Sequence, residues 1–556
     1  MTVLTGKGVY GGVAIGKAVL LQRQNTSVEK RRTEDPEAEI ARFHEACRTA
    51  AEELEELAGR AQEQVGESSA QIFEIHAMML EDEDYRSAVE DTVREEHVCA
   101  EYAVRCASDR FAAVFSGMDD SYMNARAADI RDVSDRLIRL LEKGERSEQA
   151  LFKAGTEPGI LCADDLSPSE AMQVEPTVVL AIVTAAGSVN SHAAILARAM
   201  GIPAVTGVGE LSGIRSGDRL AVDAFEGEVY LEPDGATLSR LRERQEQEEK
   251  HRALLLQYRG LDNVTRDGRH IQVFANIQSP AELDAVHKND AGGIGLFRSE
   301  FLYLDRPSPP GEEEQFRAYR EVLRGMADKP VIVRTLDIGA DKQVDYFRFA
   351  KEENPALGLR GLRLCLRCPA IFRTQLRALF RASVYGKLSV MFPMIASVWE
   401  VKEALSLCDS VREELAGEGV PVSPEIGFGI MVETPAAAMI ADRLAPLVDF
   451  FSVGTNDLTQ YALAVDRQNE TTAEFMDPHH EAVLRLIRHA AEGAHQYGKW
   501  IGICGELAAD TTLTGEFLSM GIDELSVSPP AILPLRAKIR DVDVSSNPTG
   551  GIHELR

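Results

Sequence analysis

EIGFGIMVETP (Glu425–Pro435) and, one helical segment later, VDFFSVGTNDL (Val448–Leu458) follow a single plan. Each is a short run of branched, aromatic and glycine residues that stops abruptly on acidic or amide side chains. The stops are Glu433 in the first stretch and Asn456 and Asp457 in the second. A run of this length that is apolar on both faces suits a fully buried parallel strand, with the helical segment between as its crossover. The plan recurs in IQVFANI (Ile271–Ile277), GGIGLF (Gly292–Phe297), PVIVRTLDIG (Pro330–Gly339), LSVMFPMI (Leu388–Ile395) and WIGICGE (Trp500–Glu506). Repeated β–α units of this kind predict a (β/α)8 TIM-type barrel over 261–545. Barrels of this type carry their chemistry where strands end and loops begin.

Reading only those strand ends yields a chemically consistent set. Arg298 follows one strand; Arg334 and Asp337 follow the next, with Lys342 on its loop. Glu433, then Asn456 and Asp457, close two more; AVDRQN supplies Arg467, and GICGEL ends on Cys504. Guanidiniums grip phosphate and carboxylate oxygens two at a time, so three in one mouth imply a small polyanion. Two carboxylates, Glu433 and Asp457, amid that positive charge suit a hard cation such as Mg2+, which keeps few protein carboxylates and takes its remaining oxygens from substrate and water. Any one of these arginines fits a structural ion pair equally well. Only the set as a whole points to a ligand site.

Upstream, GSVNSHAAILARAMGIPAV (Gly187–Val205) delivers His192 from a turn of small residues onto the first turn of an Ala-rich helix, closed by Gly201 with Pro203 beyond. The positive end of the helix dipole disfavours imidazolium and favours the neutral nucleophile, and the same terminus accepts anions. By itself such a histidine fits a cap or a packing role better than a catalytic one.

Composition narrows the partners. The chain has 556 residues, too many for one core, so about two to four domains are expected. A net charge of −29 argues against nucleic acid or an anionic membrane as the main partner and fits a basic protein, or solubility alone. No apolar run approaches the length of about 18 residues that a membrane span needs, and the N-terminus lacks the order of a signal peptide. Of eight cysteines only Cys365 and Cys368 form a CxxC, with no second pair to complete a zinc site, which points to a reducing, cytoplasmic setting.

Patterning divides the chain. Residues 1–21 alternate Gly with Val and Ile, as short strands and turns do. Residues 34–143 are helical, with apolar residues at i, i+3, i+4 spacing in EAEIARFHEACRTAAEELEELAGRAQEQV and DIRDVSDRLIRLLEKG. Residues 146–233 return to α/β with GILCADDL, VVLAIVTAAG, IPAVTGV and DRLAVDAFEGEVYLEP. The expectation is an α/β domain, 1–21 plus 146–233, interrupted by an all-α domain. A charged linker helix over 234–260 then leads to the barrel.

The motifs LFRSEFLY, VIVRTLDIGADK, KEENPALGLRGLR, LSVMFPMI, VETPAAA, FFSVGTNDLTQYALAVDR and GICGELAAD carry a resemblance over essentially the whole length. The chain resembles enzyme I of the phosphoenolpyruvate:sugar phosphotransferase system. The resemblance implies a phosphohistidine domain split by a helical insert, then a linker helix, then a phosphoenolpyruvate-binding barrel that forms a homodimer. IFEIHAMMLEDE (Ile72–Glu83) and NARAADIRDVSDRL (Asn124–Leu137) are similar to the segments that dock the phosphocarrier HPr. By the same resemblance, His192 takes the phosphoryl group from phosphoenolpyruvate as pyruvate leaves. Arg298, Arg334, Asn456, Asp457 and Arg467 bind the substrate, Glu433 and Asp457 hold Mg2+, and Cys504 is the proton donor, a buried structural thiol being the other reading of that residue. One histidine serving both barrel and carrier implies a swing, with hinges near 143–157 and 230–262. Two segments depart from the pattern. The loop before the histidine usually reads Gly-Gly, a basic residue, then Thr-Ser, and here it is GSVNS. The N-terminal Ala-Ser-Pro-Gly is replaced by VYGG (Val9–Gly12). Two rivals stand beside this expectation: a signalling or interaction protein of the same fold that no longer turns over, and a nucleotide-using phosphoenolpyruvate synthase or dikinase. The second rival needs an N-terminal nucleotide domain, for which the pattern leaves no room.

Overall fold

The computed structural model describes residues 1–21, 28–64, 67–116, 121–143, 157–172, 174, 177–187, 191–304, 306, 308–339, 345–347, 352–467 and 469–545. It divides into two compact units, Met1–His251 and Arg252–Arg556.

The first unit is built on eight strands: β1 (Thr2–Thr5), β2 (Lys7–Tyr10), β3 (Val13–Leu20), β4 (Gly159–Ala163), β5 (Val179–Thr184), β6 (Ala204–Thr206), β7 (Arg219–Asp223) and β8 (Glu228–Leu231). Their order across the sheet is β1-β8-β7-β3-β4-β5-β6-β2. The centre, β3 to β6, is parallel, and antiparallel pairs flank it. The chain thus leaves the sheet after β3 and rejoins beside it at β4, so a long excursion sits between neighbouring strands. That excursion is helical: α1 (Pro36–Gln64), α2 (Glu67–Glu81), α3 (Glu83–Glu96), α4 (Ala100–Ser116) and α5 (Ser121–Lys143). These amphipathic helices bury their own core of Phe43, Leu54, Phe73, Leu80, Val89 and Leu137, separate from the two cores on the faces of the sheet. Returning to the sheet, α6 (Pro168–Ala171) is held by a capping box between Ser167 and Glu170, and α7 (His192–Met200) crosses between β5 and β6.

Helix α6 also ties the insert to the sheet. Ser169 donates to Asp132 of α5 at 2.7 Å and accepts from Arg136 at 3.0 Å, while Arg136 reaches Glu53 of α1 at 2.5 Å. Helix α8 (Gly235–Leu256) buries only Leu238 and Leu241, as its charged composition anticipates for a solvated helix.

In the second unit, β9 (Gln272–Ile277), β10 (Ile294–Arg298), β11 (Pro330–Arg334), β12 (Lys387–Phe392), β13 (Gly427–Val432), β14 (Phe450–Val453), β15 (Trp500–Ile503) and β16 (Glu524–Val527) close into a barrel. Every neighbour pair is parallel, and β16 pairs with β9 to seal it. The fold is therefore the expected multidomain α/β arrangement ending in a (β/α)8 barrel. The main core lies between strands and surrounding helices, with Phe297, Tyr319, Phe372, Phe392, Phe451 and Phe517 fully buried. The strand the sequence leaves unmarked is β16, ELSV. It alternates polar with apolar residues although both its faces are buried, so it lacks the apolar run by which the other seven declare themselves.

Candidate active site

The C-terminal rim of the barrel gathers most of the residues singled out in the sequence. Arg298 ends β10 and Arg334 ends β11 directly beside it in register. Arg334 is buried; it donates to Glu300 at 2.6 Å and pairs with Asp337 at 3.2 Å. Burial works against its charge, but Glu300 and then Asp337 outweigh that, and its pKa rises above the ordinary value. Asp337 is shared: Arg360 donates to it at 3.0 Å and reaches Asp457 at 3.2 Å and the Tyr461 hydroxyl at 3.2 Å. Glu433, at the end of β13, is fully buried and accepts from the Met394 amide at 2.6 Å through Oε1. Its Oε2 has no hydrogen-bond partner among the described residues.

The electrostatics converge on that oxygen. Burial, reinforced by the negative charges of Asp337 and Asp457, pushes the Glu433 carboxyl up to about 8 against the opposing pull of Arg334 and Arg360. Repulsion of this kind is relieved by a proton or by a bound cation. Asp457 has Arg360 on one oxygen and Arg467 at 3.7 Å from the other. Gly454 keeps the approach open, since a Cβ there would come within 3.0 Å of Glu433 Oε2. No cluster of three or more His, Cys, Asp or Glu side chains able to hold a metal occurs among the described residues. Two carboxylates with one bare oxygen are thus an incomplete ligand set, of the sort that Mg2+ completes with substrate oxygens and water.

The remaining strand-end residues fall around this centre. Asn456 lies on the helix after β14, its amide exchanging hydrogen bonds with Glu506: Nδ2 donates to Oε1 at 2.9 Å and Oδ1 accepts from the backbone at 3.0 Å. Arg467 is exposed, its backbone amide fixed on Gln460. Cys504 follows β15 inside the barrel among Leu296, Ile332, Met391, Met431 and Phe450. Burial pushes its thiol up to about 12, so it carries its proton at neutral pH. Lys342 lies outside the described residues.

Inspection of strand ends alone passes over Glu300 and Arg360. Glu300 is the carboxylate that orients Arg334, and Arg360 bridges Asp337 to Asp457. Arg360 sits on the long connection after β11, in GLRG, between two glycines. Gly361 there adopts φ +57, and a Cβ on it would lie 2.9 Å from Met394 and 3.1 Å from Asp337, so the chain can pass close over the site. Glycines around a charged residue are the signal that would have found it.

In the first unit, α7 begins at His192 as anticipated. Ser191 is its N-cap, with φ −66 and ψ 162, and its hydroxyl accepts from the Ala194 amide at 3.4 Å. Gly201 ends the helix in the left-handed conformation, its N–H returned to Ala197 and Arg198. Ala193, Leu196 and Ala197 bury one face against β4, β5 and β6, which fixes the helix on the sheet and His192 on its first turn. Ser188, Val189 and Asn190 lie outside the described residues, and so does the side chain of His192.

Three domain families of phosphoenolpyruvate-utilising enzymes match in succession: the N-terminal domain over residues 5–126, the mobile domain over 155–227 and the phosphoenolpyruvate-binding domain over 252–544. The chain is 43% identical to a phosphoenolpyruvate-protein phosphotransferase of Bacillus sp. (strain S) over 97% of its length and 93% of the relative's. It is also 43% identical to that of Bacillus subtilis (strain 168), over 97% and 94%. An NMR structure of Enzyme I covers 44% of this chain and 99% of that one at 34% identity, with a TM-score of 0.38. The chain belongs to the family of phosphoenolpyruvate-protein phosphotransferases.

Proposed function

We propose that this chain transfers the phosphoryl group of phosphoenolpyruvate to its own His192, releases pyruvate, and passes the group to a histidine of the phosphocarrier HPr or an HPr-like domain. This is the first step of the phosphotransferase system for sugar uptake. The observation that carries the reading is the barrel rim, where Arg298 and Arg334 end neighbouring strands, Arg467 lies 3.7 Å from Asp457, and Glu433 keeps one oxygen bare. Phosphoryl transfer through a loose transition state asks for positioning and distributed positive charge, which this set offers. In this reading Arg298, Arg334, Asn456, Asp457 and Arg467 bind and orient the substrate. Glu433 and Asp457 would hold Mg2+, which when bound supplies charge for the phosphoryl oxygens. A neutral His192 supplies the nucleophile. Cys504, its thiol protonated by burial, stands as the acid for the substrate's methylene carbon.

The helical insert is the surface for the carrier, the barrel the surface for a homodimer, and the α/β domain swings to serve both. Much of the first proposed hinge, residues 144–156, lies outside the described residues. Among those described, no helix is long and apolar enough to cross a membrane, and the cytoplasm is the compartment where substrate and carrier meet. The test is transfer: with labelled phosphoenolpyruvate and Mg2+, purified HPr acquires label only when the chain is present. Label on the chain with none on HPr would assign it another carrier. Label on neither would leave the non-turnover reading, and label arising only with ATP would favour the synthase or dikinase.

A further inference from the structure

The inner wall of a (β/α)8 barrel is ordinarily filled by branched apolar side chains. Half of this wall obeys, with Leu296, Ile332, Met391, Met431 and Phe450 buried together. The other half does not. Four consecutive strands, β14, β15, β16 and β9, present Ser452, Gly502, Glu524, Ser526 and Asn276 around Cys504.

Glu524 is the unexpected member. It opens β16, at the end of the barrel opposite the substrate rim, and it is 1% exposed. Its register partner on β15 is Gly502. A Cβ on Gly502 would lie 1.9 Å from Glu524 Oε2, and one on Gly295 would lie 1.7 Å from Ser526 Oγ and 2.8 Å from Glu524 Oε1. Two glycines therefore leave the space that Glu524 and Ser526 fill. The Ser526 hydroxyl contacts the Glu524 carboxyl. Two residues beyond Gly502, on the same face of β15 and about 7 Å along it, is Cys504. Along the same register Ser526 stands level with Cys504, and Asn276 Nδ2 donates to the backbone carbonyls of both, at 3.1 and 2.9 Å, while the Cys504 thiol itself meets the Val453 carbonyl at 3.6 Å.

Among the described residues no cation faces Glu524. Burial pushes its carboxyl up to about 8, opposed only by Ser526. The Ser452 hydroxyl and the charges of Glu524, Arg334 and Glu433 all act on the Cys504 thiol. A neutral acid near 8 beneath a thiol near 12 holds a proton that a thiolate would take downhill.

We infer that Glu524, acting through the Ser526 hydroxyl, is the proton reserve that restores Cys504 after each turnover. The inference rests on the proposed role of Cys504 as proton donor. The enolate of pyruvate takes the thiol proton: its electron pair forms the new methyl C–H bond, and the S–H pair stays on sulfur as thiolate. The thiolate draws the proton of the Ser526 hydroxyl, which takes that of Glu524 in the same movement. The S–H bond is remade, the Glu524 O–H bond is broken, and the negative charge rests on the carboxylate. Solvent water returns the proton before the next cycle.

The test uses the full chain with phosphoenolpyruvate, Mg2+ and carbon-labelled pyruvate in D2O. Each exchange of label between pyruvate and phosphoenolpyruvate breaks and remakes a methyl C–H bond. With the reserve intact, solvent deuterium enters pyruvate in step with label exchange. In Glu524→Gln the thiol returns the hydrogen it took, so the ratio of deuterium uptake to label exchange falls by about tenfold or more, and Ser526→Ala gives the same fall. Because the ratio is taken within each variant, a general loss of activity does not mimic the effect, and Ser526→Ala serves if Glu524→Gln does not fold. Ratios in the variants within about twofold of the parent would overturn the inference. Absence of label exchange in the unsubstituted chain would instead overturn the proposed function.

Discussion

Glu524→Gln also has a consequence for stability that is independent of turnover. The glutamine keeps the shape of the side chain and removes its titration. In the folded chain the carboxyl is held at about 8, against an ordinary value of 4.5. Over that interval, at about 1.4 kcal/mol for each pH unit, the difference amounts to about 5 kcal/mol as an upper figure. The sign follows from which state binds the proton more tightly, and here it is the folded one. The stabilisation is complete below pH 4.5, drains away as pH rises, and is lost once pH passes about 8. Relative to the glutamine variant, the parent should therefore lose stability steadily across this window and differ from it by a constant amount above it. Both tryptophans, Trp399 and Trp500, lie in the barrel unit, and Trp500 stacks on Phe450 inside it with ring centroids 4.8 Å apart. Urea unfolding of the full chain, followed by tryptophan fluorescence at steps across the window, reads the barrel selectively. Parallel pH profiles for parent and variant would refute the reasoning, because they would mean that Glu524 ionises alike in both states.

Gly502→Ala places a methyl 1.9 Å from Glu524 Oε2 and should cost about 2 kcal/mol by the same fluorescence assay. Adding Glu524→Ala should restore much of the loss, and a single variant as stable as the parent would show that the barrel yields there. Ser191→Ala removes the cap of α7 and should lower local protection by about 1 kcal/mol, read by hydrogen exchange at Ala193 to Ala197; unchanged exchange would deny the cap its role. Arg360→Met strips the bridge between buried Asp337 and Asp457 and should destabilise the barrel unit by about 3 kcal/mol, with label exchange lost. A variant that kept both would reduce Arg360 to a bystander.

Seven of the eight barrel strands were legible because a strand buried on both faces must be an apolar run, and the rim residues were legible because most of these runs stop on a polar side chain. The exceptions share a cause. Strand β16 escaped notice because Glu524 and Ser526 interrupt its apolar run. Those two residues are also what makes it chemically interesting, so local patterning failed where the barrel departs from ordinary packing. Arg360 and Glu300 escaped because they act from connections, whose spatial neighbours periodicity does not encode. The N-terminal strands were readable as strands, but not their partners: β1 pairs with β8 and β2 with β6, contacts set by tertiary packing across two hundred residues of sequence.

The central claim is that His192 accepts the phosphoryl group, and one measurement bears on it without intermediaries. The full chain is incubated with labelled phosphoenolpyruvate and Mg2+, pyruvate release is quantified, and the label is located by peptide mass. The account predicts one pyruvate per phosphorylated chain, with an acid-labile, base-stable phosphate on His192 and none in His192→Ala. Pyruvate release without label at His192, or label persisting in His192→Ala, would contradict it.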